Sequence, residues 1–94
     1  MVGIIFGSTL NRANTQMNKL IQDYELMGYK KISHCKDEVR FNNGDIWYIL
    51  LSNTSVRGCA CNIAYIDHFA SEKSINEILM PMIKGIPYCG YNYF

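Results

Sequence analysis

The chain has 94 residues, a formal net charge of +1 and four cysteines, and these properties exclude several classes of protein. The length fits one domain, residues 1–94, and not two. Apolar residues make up 49% and charged residues 18%, which is the composition of a folded chain and not of a disordered one. The near-neutral balance gives no basic excess for binding phosphates, so a nucleic-acid partner is not expected.

The apolar residues are not arranged as a membrane span or an export signal. No apolar run approaches the roughly 20 residues that cross a bilayer. The opening residues 2–6 are too short for a signal peptide and lack its basic segment. We therefore predict a cytoplasmic protein with no membrane partner. Its cysteines are then expected to be reduced thiols.

The first 28 residues carry the pattern of a strand followed by a helix. Residues 2–6 are apolar and lead into a Gly-Ser-Thr turn, which predicts a buried strand. Apolar side chains then recur at spacings of three and four, which predicts the buried face of an amphipathic helix. These side chains are Ala13, Met17, Leu20, Ile21, Tyr24 and Met27. Asn11 is predicted as the N-cap, and Gly28 as the residue that stops the helix.

The middle of the chain predicts a β-hairpin. Residues 32–35 and 39–41 are short and β-prone. Residues 42–44 read Asn-Asn-Gly and predict a turn, because Asn and Gly tolerate positive φ. Residues 45–52 are mostly apolar, which predicts a second hairpin strand that is buried on both faces.

The last third predicts a strand, a helix and a final strand. Residues 63–67 form a buried strand that ends in a carboxylate, and Ser74 and Glu77 have the spacing of a capping box. Residues 86–94 predict a short strand or an aromatic tail. The fold class is therefore α/β, a small mixed sheet with a central β-hairpin and two helices in the order β-α-β-β-β-α-β. A purely antiparallel α+β sheet is the alternative.

Asp67 and His68 are the first candidates for chemistry. Asp67 lies at the carboxyl end of a predicted buried strand, the edge where open α/β folds bind ligands. A carboxylate in this position helps to hold Mg²⁺ in P-loop ATPases, so Asp67 is a candidate magnesium ligand. The alternative is a carboxylate that caps the following turn. His68 is a candidate ligand-binding residue, with an exposed loop histidine as the alternative.

The turn after the first strand is the second candidate site. The backbone amides of Ser8 and Thr9, with Arg12 close behind, are suited to binding an anion at a helix start. The turn has no Gly-Lys-Ser/Thr and is therefore not a Walker A loop. A plain strand-to-helix turn is the alternative. Arg57, in a polar loop, is a candidate partner for a phosphate or carboxylate, or else a solvated side chain.

The cysteines and histidines do not predict a metal centre. Cys59 and Cys61 are separated by one residue, and no second clean pair of ligands completes the pattern of a structural zinc site. Buried free thiols are the simpler interpretation. No resident cofactor is predicted, and a magnesium–nucleotide complex is the one ligand left open.

Three segments resemble the middle of the ATPase domain of phage terminase large subunits. They are residues 41–46 (Phe-Asn-Asn-Gly-Asp-Ile), residues 56–58 (Val-Arg-Gly) and residues 63–70 (Ile-Ala-Tyr-Ile-Asp-His-Phe-Ala). The resemblance implies a RecA-like, P-loop-NTPase-like fold and a phage origin. It also implies that Asp67 matches the Walker B magnesium ligand and that Arg57 matches the loop arginine.

Two departures from that family bear on catalysis. The chain has no Walker A segment, and His68 stands where the family commonly has glutamate. We therefore expect that the chain is not an enzyme by itself. The leading hypothesis is a non-catalytic interaction protein that binds a phage packaging component, or a host protein as a regulator or inhibitor. The alternative is a small-ligand or nucleotide-binding module at the carboxyl edge of the sheet. A homo-oligomer is also left open, because seven tyrosines and five methionines are many to bury in so small a domain.

Overall fold

The structure is a computed structural model that describes residues 1–51, 61–79 and 90–94. In chain order its elements are β1 (Val2–Gly7), α1 (Leu10–Leu26), β2 (Lys31–Cys35), β3 (Glu38–Phe41), β4 (Ile46–Leu51), β5 (Ile63–Ile66), α2 (Glu72–Ser74) with a π-helical continuation (Ile75–Leu79), and β6 (Gly90–Tyr93). We call residues 72–79 the α2 segment.

The strands of the described ranges form one sheet in the order β2-β3-β4-β1-β5-β6. The four strands β4, β1, β5 and β6 are parallel, whereas β2 and β3 join the sheet antiparallel through two hairpins. Parallel strands need cover on both faces. Helix α1 covers one face and the α2 segment covers the other, which gives three layers.

Strand β1 lies at the centre and sends alternate side chains into two cores. Ile5 packs in the core under α1, whereas Ile4 and Phe6 pack in the core under the α2 segment, and all three are fully buried. Burial of such a side chain stabilises the fold by roughly 1.5–3 kcal/mol. Gly3 has no side chain because the ring of Trp47 occupies the space that a Cβ would need.

The predicted fold class is confirmed, and the order of elements contains one strand more than predicted. Residues 32–35 and 39–41 belong to two separate strands, β2 and β3, which pair antiparallel with Cys35 opposite Glu38. The turn between them is so short that the sequence reads almost as one β-prone stretch. Of the predicted final strand, β6 is described from Gly90, and residues 86–89 lie outside the described ranges.

Both helices begin at a different residue from the one predicted. Thr9, not Asn11, is the N-cap of α1: its backbone is extended and its hydroxyl accepts a hydrogen bond from the Arg12 amide at 3.3 Å. Ser71, not Ser74, caps the α2 segment and accepts from the Ser74 amide at 3.1 Å. In each case the polar residue before the first turn, rather than within it, can reach the free amides.

Gly28 stops α1 as predicted, but Met27, which was predicted on the buried face, follows the last helical residue and is 62% exposed. The helix ends at Leu26, and Gly28 follows with a φ of 91°. This left-handed conformation favours glycine and turns the chain away from the helix axis. None of the helices in the described ranges is long and apolar enough to cross a membrane.

A buried hydrogen-bond chain joins α1 to the β3–β4 hairpin. The Trp47 indole N–H donates to the Tyr24 hydroxyl at 2.9 Å, and that hydroxyl donates to Asp45 Oδ2 at 2.6 Å. Burial raises the pKa of Tyr24 to about 12, and the hydrogen bond to Asp45 adds to this effect. The phenol therefore remains a donor throughout the ordinary pH range.

Tyr24→Phe is expected to lower the free energy of unfolding by about 1–3 kcal/mol, because it leaves the buried Trp47 N–H without its acceptor. Tyr29→Phe is the matched control: its side chain is exposed and the change is expected to stay within about 0.5 kcal/mol. Urea denaturation measures both. Equal effects of the two substitutions would contradict a structural role for this hydrogen-bond chain.

Candidate functional site

The carboxyl ends of β1 and β5 meet at one edge of the sheet. The two strands are parallel neighbours, with Phe6 beside Ile66, so the residues that follow them also lie side by side. Asp67 continues the ladder by donating its amide to the Phe6 carbonyl at 2.8 Å. Two candidate sites that the sequence analysis treats separately, Asp67 and the turn at Ser8, therefore lie on one rim of the sheet.

The Asp67 carboxylate is fully buried and accepts four hydrogen bonds. Its Oδ2 accepts from the Ser8 amide at 2.9 Å, from the Ser8 hydroxyl at 2.6 Å and from Arg12 Nε at 2.8 Å. Its Oδ1 accepts from the Phe69 amide at 2.9 Å. We call Ser8, Arg12 and Asp67 the rim triad. It ties the end of β5 to the end of β1 and to the first turn of α1.

The rim triad keeps Asp67 ionised. Burial would raise the pKa of the carboxyl, but the hydrogen bonds from Arg12, from the Ser8 hydroxyl and from the amides of Phe69 and Ser8 outweigh burial. The pKa therefore lies well below the usual range of an aspartate. A buried carboxylate with this many donors is stable only in its charged form.

Arg12 lies between the carboxylate and two aromatic rings. Its guanidinium carbon is 4.4 Å from the centre of the Phe69 ring and 5.9 Å from that of Phe94. Cations are attracted to ring faces at these distances. The side chain is 35% exposed. The guanidinium therefore links the buried Asp67 carboxylate to the surface of the molecule.

His68 faces β6 rather than the rim triad. Its amide donates to the Phe94 carbonyl at 2.8 Å, and its Nδ1 forms a short hydrogen bond to the same oxygen. The imidazole ring is exposed and lies 4.1 Å from the Phe69 ring, centre to centre. In the described part of the chain no hydrogen bond joins it to the Asp67 carboxylate. The imidazole therefore holds the end of β6.

The predicted site residues thus do not form one site. Ser8, Arg12 and Asp67 come together in the rim triad, whereas Thr9 uses its hydroxyl as the helix cap. His68 contacts Phe94 instead. Arg57 lies outside the described residues, as does Cys59.

The rim triad does not fit a magnesium ion. Mg²⁺ requires carboxylate oxygens and several waters in octahedral geometry. The buried Asp67 carboxylate already accepts four hydrogen bonds, and the nearest charge is the Arg12 cation, which repels a second cation. Across residues 1–51, 61–79 and 90–94, no three His, Cys, Asp or Glu side chains are grouped as metal ligands. The hydrogen-bond donors around Asp67, with the Arg12 cation among them, are those of an ion pair within the protein.

A polar groove of about 530 Å³ lies beside the rim triad, on the exposed face of α1. It is lined by Asn11, Arg12, Thr15, Gln16, Lys19 and Phe94. One signal for it is visible in the sequence, since residues 12, 15, 16 and 19 share a helix face. The position of Phe94 beside this helix face depends on the pairing of β6 with β5, which local sequence pattern does not specify.

The comparisons with known proteins agree with this architecture. The chain is similar in structure to the large terminase of a thermophilic bacteriophage, with a TM-score of 0.76 and 12% sequence identity. The similarity covers 98% of this chain and 25% of that chain, so the chain spans about a quarter of the terminase's length. The resemblance inferred from the sequence is thereby confirmed at the level of the fold. No protein-family model and no curated protein matches the sequence.

Arg12→Ala is expected to lower the free energy of unfolding by about 2–3 kcal/mol, because it leaves the buried Asp67 carboxylate without its cation. This is below the range for a fully buried pair, since Arg12 is partly exposed. In an Asp67→Asn background the same change is expected to cost at least about 1 kcal/mol less. Urea denaturation of the four proteins measures the coupling, and purely additive effects would contradict it.

Acid is expected to weaken the rim triad. The folded pKa of Asp67 is lowered, so its stabilising contribution is complete above the unfolded value of about 3.9 and is lost as the pH falls towards the folded pKa. The stability difference between the wild type and Asp67→Asn should therefore be constant near neutral pH and shrink below about pH 4. Denaturation at a series of pH values tests this, and a difference that grows in acid would contradict it.

Proposed function

We propose that this chain is a non-catalytic protein of terminase-like fold that binds another protein, either a phage packaging component or a host protein that it regulates or inhibits. The observation that carries the proposal is the saturation of Asp67. The carboxylate that the family resemblance assigns to magnesium is fully buried and bound by Ser8, Arg12 and Phe69. A chain that uses this group to hold its own fold acts on other molecules through its surface.

The end of α1 offers a surface of the required kind. Four large apolar side chains within seven residues are exposed, and the most exposed, Leu26, is 86% accessible. They are Leu26, Met27, Tyr29 and Ile32, which we call the apolar end. Single exposed apolar residues are ordinary, but a group of four favours a protein interface. The exposed Lys30 and Lys31 favour a partner that surrounds its apolar contact with acidic groups.

The groove on α1 supports the second candidate, a small-ligand or nucleotide-binding module. Arg12 and Lys19 supply positive charge and Phe94 supplies a ring on which a base can stack. In this case the ligand would sit beside the rim triad, with no metal at Asp67. The two candidates differ in one observable, which is stabilisation by a nucleotide.

The non-catalytic proposal expects no change in melting temperature when ATP and Mg²⁺ are added. A ligand at 100 times its Kd stabilises the folded state by about 2.7 kcal/mol, which corresponds to a rise of roughly 10 °C or more for a domain of this size. A thermal shift series with ATP, with and without Mg²⁺, decides between the candidates. A rise that depends on Mg²⁺ would overturn the proposal. A rise without Mg²⁺ that Lys19→Ala abolishes would favour the groove.

Capture of a packaging or host protein is expected to depend on the apolar end. Leu26→Glu with Ile32→Glu places two carboxylates in that surface and is expected to reduce capture from infected-cell and uninfected-cell lysates at least tenfold. Asn14→Glu with Gln22→Glu introduces the same charge on exposed positions of α1 and is the matched control. Quantitative mass spectrometry reads the result. Equal capture by the two variants would contradict this surface as the interface.

A further inference from the structure

The two outer strands of the sheet formed by residues 1–51, 61–79 and 90–94 are built differently. Strand β2 carries Lys31 and His34 and has a register shift between Lys31 and Ser33. Charges and irregularities of this kind prevent an edge strand from pairing with another chain. Strand β6, at the opposite edge, reads Gly-Tyr-Asn-Tyr, with no charge, no proline and regular pairing to β5. All four of its residues are exposed.

The outer backbone groups of β6 can be assigned from its pairing with β5. The Gly90 amide donates to the Asn62 carbonyl at 3.0 Å, and the Phe94 amide donates to the Ile66 carbonyl at 2.8 Å. In a strand, alternate residues direct their backbone groups to opposite sides. The N–H and C=O groups of Tyr91 and Tyr93 therefore point away from β5. Within residues 1–51, 61–79 and 90–94 none of these four groups has a backbone hydrogen-bond partner.

We propose that β6 is a homodimer interface, at which a second copy of this chain adds its own β6 antiparallel about a twofold axis through Asn92. In this register Tyr91 of each copy lies opposite Tyr93 of the other. Directly opposed residues of an antiparallel pair exchange two hydrogen bonds when the backbone N–H and C=O groups of each point towards the other strand. Both Tyr–Tyr pairs are of this kind. The register therefore satisfies all four outward groups of each strand.

The side chains suit the same register. Tyr91 and Tyr93 project from one face of β6, with their rings 6.2 Å apart in an edge-to-face arrangement, and both are more than half exposed. Two copies would place these rings in a group of four, and aromatic cross-strand pairs stabilise antiparallel sheets. On the other face Asn92 meets its symmetry mate, and a side-chain amide both donates and accepts.

The charge pattern favours a second copy over a different partner. Strand β6 carries no formal charge, so two copies meet without repulsion. A surface that pairs with itself must also be self-complementary under a twofold axis, and the Tyr-Asn-Tyr order meets that condition. The proposal is independent of the apolar end, which includes residues at the opposite edge of the sheet.

Sedimentation velocity of the full chain over a concentration series tests the proposal. The wild type is expected to shift from monomer to dimer. Asn92→Lys places two like charges on the axis and is expected to raise the dimer Kd at least tenfold, as is Asn92→Asp. An equimolar mixture of the two variants is expected to restore dimers. Ile32→Lys, which changes the opposite edge, is the matched control and should dimerise like the wild type.

Tyr93→Pro provides a second test. It removes an outward N–H but no hydrogen bond between β5 and β6, so the monomer should fold and the dimer should be lost. Circular dichroism and the melting temperature verify that each variant is folded. A wild type that stays monomeric throughout, or a dimer that persists in both Asn92→Lys and Tyr93→Pro, would overturn the proposal.

Discussion

The fold depends on one buried charge. The Asp67 carboxylate, at the end of β5, accepts hydrogen bonds from Ser8 at the end of β1 and from Arg12 in α1. A carboxylate removed from water is costly unless donors surround it, and here four donors do so. The same interaction therefore fixes the sheet edge, positions the helix and excludes an external cation from this oxygen pair.

The surfaces around that charge have different chemistry. On the α1 side lies a polar groove with Arg12, Lys19 and Phe94, and at the far end of α1 lies the apolar end. At the β6 edge an uncharged strand offers its backbone groups. A domain of this size buries a limited share of its surface. Exposed apolar side chains that lie in clusters are therefore candidates for contact with other molecules.

Sequence patterns predict the elements of this fold correctly where the spacing of apolar residues coincides with their burial in the structure. The buried helix positions from Ala13 to Tyr24 and the strand before Asp67 appear in the structure as predicted, whereas Met27, the last position of the predicted stripe, is exposed. Sequence reasoning failed where one residue decides between adjacent possibilities, as with Thr9 and Asn11 as the helix cap. It also could not find that Arg12 binds Asp67, since these residues are 55 positions apart and only strand order brings them together. His68 was assigned to the site because it follows Asp67, but adjacent residues at a strand end point in different directions.

The central place of β1 affects the order in which the chain acquires its structure. Strand β1 begins at Val2, whereas its two neighbours in the sheet, β4 and β5, begin only at Ile46 and Ile63. Contacts of such separation form late, because closing a long loop costs entropy before any contact is gained. The β2–β3–β4 meander, in contrast, contains only local pairings. During synthesis, the meander can therefore form before β1 makes its long-range pairings with β4 and β5.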